Sequence, residues 1–207
     1  MMDKRQLDDL FVNLRPSSKD TVIDVGCGAG CLLNRIVEQN DCRGVGIDRL
    51  SAGIVNRLSP AIEYRQTDMD ETYDFNASAV LFVDSLYFSR DMESLLSRLE
   101  GGARKAYLYY STYLFEDTDD TAMLREGQTC AAKALNQLGF AYKAIDYSKC
   151  EYALYKRGLK LLGKYESHFA AEGMTDVYER RLAEYKFGAA LFEKGKASRY
   201  LYTVGNA

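Results

Sequence analysis

The feature that most constrains this sequence is VIDVGCGAG at positions 22–30, an apolar run that ends in three alternate glycines. Such a run is typical of a buried strand that passes through a tight turn into a helix, because residues without a Cβ atom let a ligand and a helix approach the main chain closely. The pattern predicts the first strand of an open α/β sheet at Thr21–Val25. It also predicts a ligand-binding turn at the carboxyl end of that strand.

The residues up to position 148 continue as an alternation of strands and helices. A leading helix is predicted before Pro16, a short helix after Ser51 and another over roughly 121–138. Short apolar runs predict the other strands of this part, at Gly44–Asp48, Ile62–Thr67, Ala79–Val83, Ala106–Tyr113 and Phe140–Tyr147. This alternation indicates an open, mostly parallel sheet.

The last third of the sequence breaks that rhythm. Large apolar residues three or four positions apart predict two amphipathic helices separated by Gly173, and a strand follows at Arg199–Val204. The spacing favours core packing for the aromatic residues of these helices, with an aromatic acceptor pocket as the alternative. Those residues are Tyr155, Tyr165, Tyr178, Tyr185 and Phe192.

The length of 207 residues predicts a single domain. We divide it into a leading helix (1–15), a cofactor-binding core (16–148), an inserted helical cap (149–196) and a final strand (197–207).

Charge and cysteine content exclude several functional classes. With 27 basic and 30 acidic residues the net charge is −3, so binding to nucleic acid is not favoured. No apolar run is long enough to span a membrane and the N-terminus does not resemble a signal peptide, so we expect a cytoplasmic protein. Five cysteines without a C-x-x-C pair indicate free thiols. We expect no bound metal, and either a monomer or a homodimer.

Two aspartates flank the glycine turn and indicate the charge of its ligand. Asp24 would repel a pyrophosphate, but it can pair with the ammonium group of an amino-acid-like ligand. Asp48 ends the second strand, where a carboxylate commonly accepts hydrogen bonds from ribose hydroxyls. The dinucleotide fingerprint would need glycine at position 31, where the chain has Cys31, and the P-loop lysine is absent. The pattern therefore predicts a nucleoside that carries an aminoacyl group.

With these motifs, about the first 150 residues resemble the class I S-adenosylmethionine-dependent methyltransferases, of the type that acts on small molecules. The resemblance rests on VIDVGCGAG as the glycine motif, GIDRL as the ribose motif, YRQTDMD as the adenine motif and AVLFVDSLYF after the fourth strand. It implies a Rossmann-like α/β fold, a seven-stranded and mostly parallel sheet with a helical cap inserted between the last two strands. It also implies S-adenosyl-L-methionine as cofactor and S-adenosyl-L-homocysteine as product.

The same resemblance implies roles for individual residues. Asp68 would accept a hydrogen bond from the adenine amino group, with Met69 beside it, and Cys27 would contact the cofactor through its backbone. Asp84 and Tyr87 would lie near the substrate entrance as catalytic residues, and His168 is a candidate general base for a hydroxyl acceptor. The cofactor-binding residues implied are Asp24, Gly26, Cys27, Gly28, Gly30, Asp48, Arg49, Asp68, Met69 and Asp84.

These assignments predict an enzyme that transfers a methyl group to a small molecule, at an amine nitrogen or a hydroxyl. The 16 tyrosines and the acidic stretch FEDTDD at 115–120 favour an amine, because aromatic faces and carboxylates hold a cation. The stretch after the fourth strand, DSLY, lacks the two prolines of DNA amino-methyltransferases. RNA or protein methylation and a non-catalytic module that binds S-adenosylmethionine remain as alternatives.

Overall fold

The structure is a computed structural model and describes residues 2–49, 59–71, 75–115 and 120–205. Six α-helices are present in these ranges: α1 (Lys4–Leu14), α2 (Cys31–Asn40), α3 (Met92–Ser97), α4 (Cys130–Gln137), α5 (Ser148–Ala171) and α6 (Thr175–Glu193). Seven strands accompany them: β1 (Thr21–Val25), β2 (Arg43–Asp48), β3 (Ile62–Gln66), β4 (Ala77–Val83), β5 (Ala103–Tyr113), β6 (Tyr142–Asp146) and β7 (Ala197–Val204).

The strands form one sheet in the order β3-β2-β1-β4-β5-β7-β6. Neighbours from β3 to β5 run parallel, whereas β7 is antiparallel to both β5 and β6. The predicted fold is confirmed, including the helical pair between the last two strands. Because β1 lies between β2 and β4, the chain leaves it on one side and returns on the other, which opens a crevice at the carboxyl ends of β1 and β4.

Apolar residues cover both faces of the sheet. On one face Leu95, Leu96 and Leu135 from α3 and α4 pack in a cluster with Val25 and Phe82. On the other, residues of α1 and α2 pack on the central strands, and Leu10, Leu33, Ile36, Val22 and Leu81 are part of that cluster. Burying one such aliphatic side chain contributes about 1.5–3 kcal/mol. These two layers hold the central strands, and therefore the crevice, in place.

The helix predicted over roughly 121–138 is shorter in the structure and begins at Cys130. Thr129 has an extended backbone, and its hydroxyl accepts a hydrogen bond from the Ala132 N–H (3.1 Å) and lies 2.7 Å from the Tyr202 hydroxyl. This cap satisfies an N–H group of the first turn and fixes the start of the helix there. Two 3-10 turns, Thr121–Leu124 and Glu126–Gln128, precede it. The helix expected after Ser51 lies outside the described residues.

The two cap helices are held together by a reciprocal fit of glycine and tyrosine. A Cβ atom on Gly158 would lie 1.9 Å from the ring of Tyr185, and one on Gly188 would lie 2.5 Å from the ring of Tyr155. The two rings meet edge to face, with centroids 5.4 Å apart. Of the aromatic residues predicted to pack in the core, Tyr178 and Tyr185 are buried, while Tyr165 is exposed. The fit fixes the register of α5 against α6.

Among the described residues, none of the helices combines the length and the apolar character needed to cross a bilayer.

Candidate active site

The turn after β1 is shaped by its three glycines, which all have positive φ angles between +56° and +76°. The N–H groups of Gly26 and Cys27 both donate to the carbonyl oxygen of Ile47, at 2.7 and 3.1 Å, and this ties the turn to β2. A Cβ atom on Gly26 would lie 2.4 Å from the Cβ of Ser85. Both the conformation and the close approach therefore require glycine at position 26.

Two carboxylates flank this turn, as the sequence predicts. Asp48 accepts a hydrogen bond from the Gly28 N–H at 2.7 Å. Asp24 is 3% exposed, and its Oδ1 has no hydrogen-bond partner among the described residues. Burial, and then the charge of Asp48, raise the pKa of Asp24 to about 7. An unsatisfied buried carboxyl oxygen beside a second carboxylate suits a cationic ligand.

A cleft of about 330 Å³ opens beside the turn. It contains five of the residues predicted to bind the cofactor, Gly26, Asp48, Arg49, Met69 and Asp84. The other residues that line it are Ile47, Thr67, Ser85 and Phe88. The cleft combines main-chain atoms, carboxylates and apolar side chains. A site that binds a nucleoside with a cationic tail needs these groups.

The remaining predicted cofactor residues lie around this cleft without lining it. Asp24 is buried in β1, and Gly30 is the N-cap residue that precedes α2. Asp68 lies 3.9 Å from Arg49 and 3.8 Å from Arg90 in ion pairs. Cys27 directs its thiol to the carbonyl of Gly28 at 3.7 Å, and burial raises the pKa of this thiol. Cys27 is therefore protonated at neutral pH.

Asp84 follows β4 and lines the cleft together with a second, larger cavity of about 630 Å³. It has a left-handed backbone, with φ of +53°, and its N–H donates to the carbonyl of Tyr109. Nη1 and Nη2 of Arg199 donate to its two carboxyl oxygens at 2.5 and 3.1 Å. Burial alone would raise the pKa of Asp84, but Arg199 outweighs burial and lowers it. Asp84 is thus ionised where the two cavities meet.

Sequence reasoning missed Arg199, which is 1% exposed and connects four parts of the fold. Its Nη1 also donates to the Ser111 hydroxyl at 2.9 Å, and its Nε donates to Oε1 of Gln6 at 3.2 Å. The same Nε lies 3.4 Å from Oε2 of Glu151 on α5. The available signal was an arginine inside the otherwise apolar and aromatic strand pattern RYLYTV. A charge within such a strand needs buried partners.

Seven of the seventeen described residues that line the larger cavity are aromatic. Tyr87 lies at its edge, and burial and then the charge of Asp84 raise the pKa of the Tyr87 phenol. The hydroxyls of Tyr113 and Tyr155 lie 3.1 Å apart. The cavity lies between the ends of β4 and β5, α5, α6 and β7. Its other walls are formed by Phe88, Tyr110, Ser111, Thr112, Leu114, Phe115, Met123, Cys130, Glu151, Glu184, Phe187, Gly188 and Arg199.

His168 is not brought to this site. It lies in the last turn of α5, exposed to solvent, with its ring 5.4 Å from that of Tyr165. Thirteen residues of helix separate it from Tyr155, which is about 20 Å along the axis. Of the acidic stretch at 115–120, Phe115 lines the larger cavity and residues 116–119 lie outside the described ranges. Within those ranges, no three His, Cys, Asp or Glu side chains converge to hold a metal ion.

The sequence profile of the family described as methionine biosynthesis protein MetW matches residues 6–145, more than half of the chain. The chain belongs to this family. No individual curated protein matches it in sequence. The part shared with the MetW family includes the glycine turn, Asp48 and Asp84, and it ends within β6. The cap helices and Arg199 lie beyond it, so one wall of the larger cavity is not covered by the family profile.

Solved structures share the fold of this MetW family member at low sequence identity. The cyclopropane synthase MmaA2 from Mycobacterium tuberculosis is 16% identical, with a TM-score of 0.75 over 100% of this chain and 86% of the other. A phosphoethanolamine N-methyltransferase from Haemonchus contortus, solved with phosphomonomethylethanolamine and S-adenosylhomocysteine, is 12% identical, with a TM-score of 0.84. This chain is covered to 98% in that comparison and spans about half, 53%, of the Haemonchus chain.

A [4+2]-cyclase has the same fold at 17% identity, with a TM-score of 0.66 over 97% of this chain and 79% of the other. Together these likenesses show that the protein has the class I methyltransferase fold. They do not specify the reaction, because one fold can carry different chemistry.

Proposed function

We propose that this protein binds S-adenosylmethionine in the 330 Å³ cleft and transfers its methyl group to a small molecule in the 630 Å³ cavity. The observation that carries this proposal is the position of Asp84, which lines both spaces. Two ligands that fill them would therefore meet beside one residue. S-adenosylmethionine, when bound, supplies a methyl group that is already activated by its sulfonium.

The fit of the cleft to this cofactor rests on three features of the chain. Gly26 lines the cleft and, as a glycine, presents only main-chain atoms to it. The carboxylate of Asp48 lines the cleft and supplies an acceptor for ribose hydroxyls, and the buried carboxyl of Asp24 beside the turn favours a cationic ligand. Met69 and Phe88 offer an apolar surface for a purine. The complex of the Haemonchus enzyme supports the same cofactor by analogy of fold.

The work left to the protein is to align the two reactants and exclude water. Holding them in a near-attack geometry can lower the barrier by about 7–11 kcal/mol. Because Arg199 keeps Asp84 ionised and fixed, we assign Asp84 to positioning and to electrostatic stabilisation of positive charge. Tyr87 contributes an uncharged phenol at the edge of the acceptor cavity. His168 has no part in this proposal, since it lines neither cavity.

Calorimetric titration with S-adenosylmethionine tests the cofactor. We expect saturable binding by the wild type and at least tenfold weaker binding by Asp48→Ala, because the ribose loses its acceptor. Asp146→Ala, which removes an exposed carboxylate of β6, should bind like the wild type. Transfer is then tested with a panel of amines, phenols and carboxylates, and mass spectrometry detects the added methyl group. Absence of heat with the wild type would remove the proposal.

A second candidate is a module that binds the cofactor without turnover. The family description names methionine biosynthesis and no transfer reaction, and the [4+2]-cyclase shows that this fold hosts other chemistry. Saturable binding with no methylated product from any acceptor class would favour this second candidate. Methylation of RNA is less well supported, because the net charge is −3 and the larger cavity contains three carboxylates, Asp84, Glu151 and Glu184.

A further inference from the structure

Exposed aromatic side chains are concentrated around the larger cavity. Five aromatic side chains are exposed among the residues that the structure describes, and four of these five line this cavity. A residue that lines a cavity and is also exposed lies where the cavity opens to solvent. The mouth of the cavity is therefore bordered by four aromatic side chains that are 43–66% exposed, namely Tyr87, Phe88, Phe115 and Phe187.

These four side chains pack against one another in two pairs. The ring centroids of Tyr87 and Phe88 are 4.9 Å apart, and those of Phe115 and Phe187 are 6.0 Å apart with the rings stacked. Phe115 follows β5 and Phe187 lies on α6, so the second pair joins the sheet to the cap. Exposed apolar side chains that are grouped at one opening are typical of a surface that an apolar ligand covers.

The opposite end of the cavity is polar, and its charged side chains have partners within the chain. Arg199 pairs with Asp84 and with Glu151. It also donates hydrogen bonds to Ser111 and Gln6, and Gln6 in turn donates to Oε2 of Glu151 at 3.5 Å. Because these groups stabilise one another, they require no charge on the acceptor. The apolar walls are therefore the part of the cavity that selects the body of the acceptor.

The end of β5 and the residues after it connect the polar end to the mouth. Ser111 contacts Arg199, and Phe115 lies four residues further on, which corresponds to about 13 Å of extended chain. Between them, the buried Leu114 and the ring of Tyr113 line the cavity. A compact polar metabolite beside Asp84 would not reach the mouth, whereas a molecule with an alkyl chain would.

We propose that the methyl acceptor is an amphiphile, with its polar group beside Asp84 and an alkyl chain that extends between the aromatic walls to Phe115 and Phe187. This inference rests on the proposed function and specifies its acceptor class. Each methylene group that leaves water for the apolar walls stabilises the complex, so affinity rises with chain length until the chain reaches the mouth.

A series of unbranched alcohols tests the site without turnover. In calorimetry, with and without S-adenosylhomocysteine, we expect the affinity of the wild type to rise about tenfold from 1-hexanol to 1-octanol and again to 1-decanol. Phe115→Ser and Phe187→Ser should each weaken the binding of 1-decanol roughly fivefold and leave 1-hexanol unchanged, because only the longer chain reaches the mouth. Tyr165→Ser is the matched control, since it removes an exposed aromatic ring outside the cavity, and it should bind like the wild type.

Three results would overturn the inference. The first is equal affinity across the series, or binding of none of the alcohols. The second is an unchanged preference for the long chain in both phenylalanine variants, which would place the alcohols elsewhere on the protein. The third is a dimer of the wild type in analytical ultracentrifugation that Phe115→Ser dissociates, together with alcohol affinities that do not depend on length. In that case a second copy of the chain covers the mouth.

Failure of this inference can be told apart from failure of the proposed function. If S-adenosylmethionine does not bind but alcohol affinity rises with chain length and depends on Phe115 and Phe187, the proposed methyl transfer fails and the apolar site stands. If the cofactor binds and only acceptors without an alkyl chain are methylated, the apolar site fails and methyl transfer stands. The alcohol series on the wild type needs no variant, so it holds even if a variant folds poorly.

Discussion

The two halves of the site are built in different ways. The turn at the end of β1 is a main-chain structure, set by neighbouring glycines and by hydrogen bonds to β2. The acceptor cavity is held by side chains that are far apart in sequence, such as Arg199 and Gln6, which are separated by 193 positions. The first half depends on backbone shape and the second on the balance of buried charges. Substitutions in the two halves should therefore impair the protein in different ways.

The largest effect is expected from Arg199→Met, which would break the charge balance of the cavity. Asp84 and Glu151 would be left buried without their shared cation, and the free energy of unfolding should fall by about 3–5 kcal/mol. Urea unfolding at pH 7 measures this. Arg181→Met removes the partner of Glu184 in an exposed pair and should cost less than about 1 kcal/mol. Similar losses of unfolding free energy in the two variants would show that the buried network stabilises the fold no more than an exposed ion pair does.

Asp24→Asn tests the charge of the turn through the pH dependence of stability. The pKa of Asp24 is raised from 3.8 to about 7, so between these values the folded state binds more protons than the unfolded state. The stability of the wild type should fall as pH rises from about 4 to about 7, by up to about 4 kcal/mol from this group.

The Asp24→Asn variant should lose this contribution and be more stable than the wild type at pH 8. Urea unfolding across the pH range measures both, with the exposed Asp146→Asn as control. Parallel stability profiles for Asp24→Asn and the wild type would mean that Asp24 does not carry the charge that we assign to it.

Gly26→Ala tests the shape of the turn. The new Cβ would meet Ser85, and S-adenosylmethionine affinity should fall at least 100-fold, or about 3 kcal/mol. Gly101→Ala is the matched control, because Gly101 also has positive φ (+71°) but open space around its Cβ position. It should cost about 1–2 kcal/mol of stability from strain and leave cofactor affinity unchanged. Unchanged affinity in Gly26→Ala would show that the turn does not hold the cofactor.

Gly188→Ala is expected to have the smallest effect, and it tests the packing of the two cap helices. The added methyl group would collide with the ring of Tyr155, so stability should fall by about 1–3 kcal/mol without a change in cofactor affinity. Gly163→Ala places the same methyl group on α5 in open space and should raise stability by about 0.5–1 kcal/mol. Thermal and urea unfolding check both. A stabilised Gly188→Ala variant would mean that α5 and α6 are not locked at this contact.

Much of the fold was predictable because its patterns are local. The strand at Thr21–Val25 has the predicted bounds, and the other strands differ from prediction by at most three residues at an end. Apolar runs, helical spacing and glycines act over a few neighbouring residues, and the glycine turn and Asp48 follow from them. The start of α4 was not predicted, because Thr129 is fixed by Tyr202 from a strand more than 70 residues away.

The sequence by itself thus determined the sheet, the cap and the bare turn with its two aspartates, since each depends on residues close together in the chain. Only the tertiary structure decided that Arg199, Asp84 and Glu151 share one buried site between the cofactor cleft and the acceptor cavity. A charge pairs with whichever opposite charge the fold brings within about 4 Å, whatever their separation in sequence, and that choice leaves no periodic pattern to read.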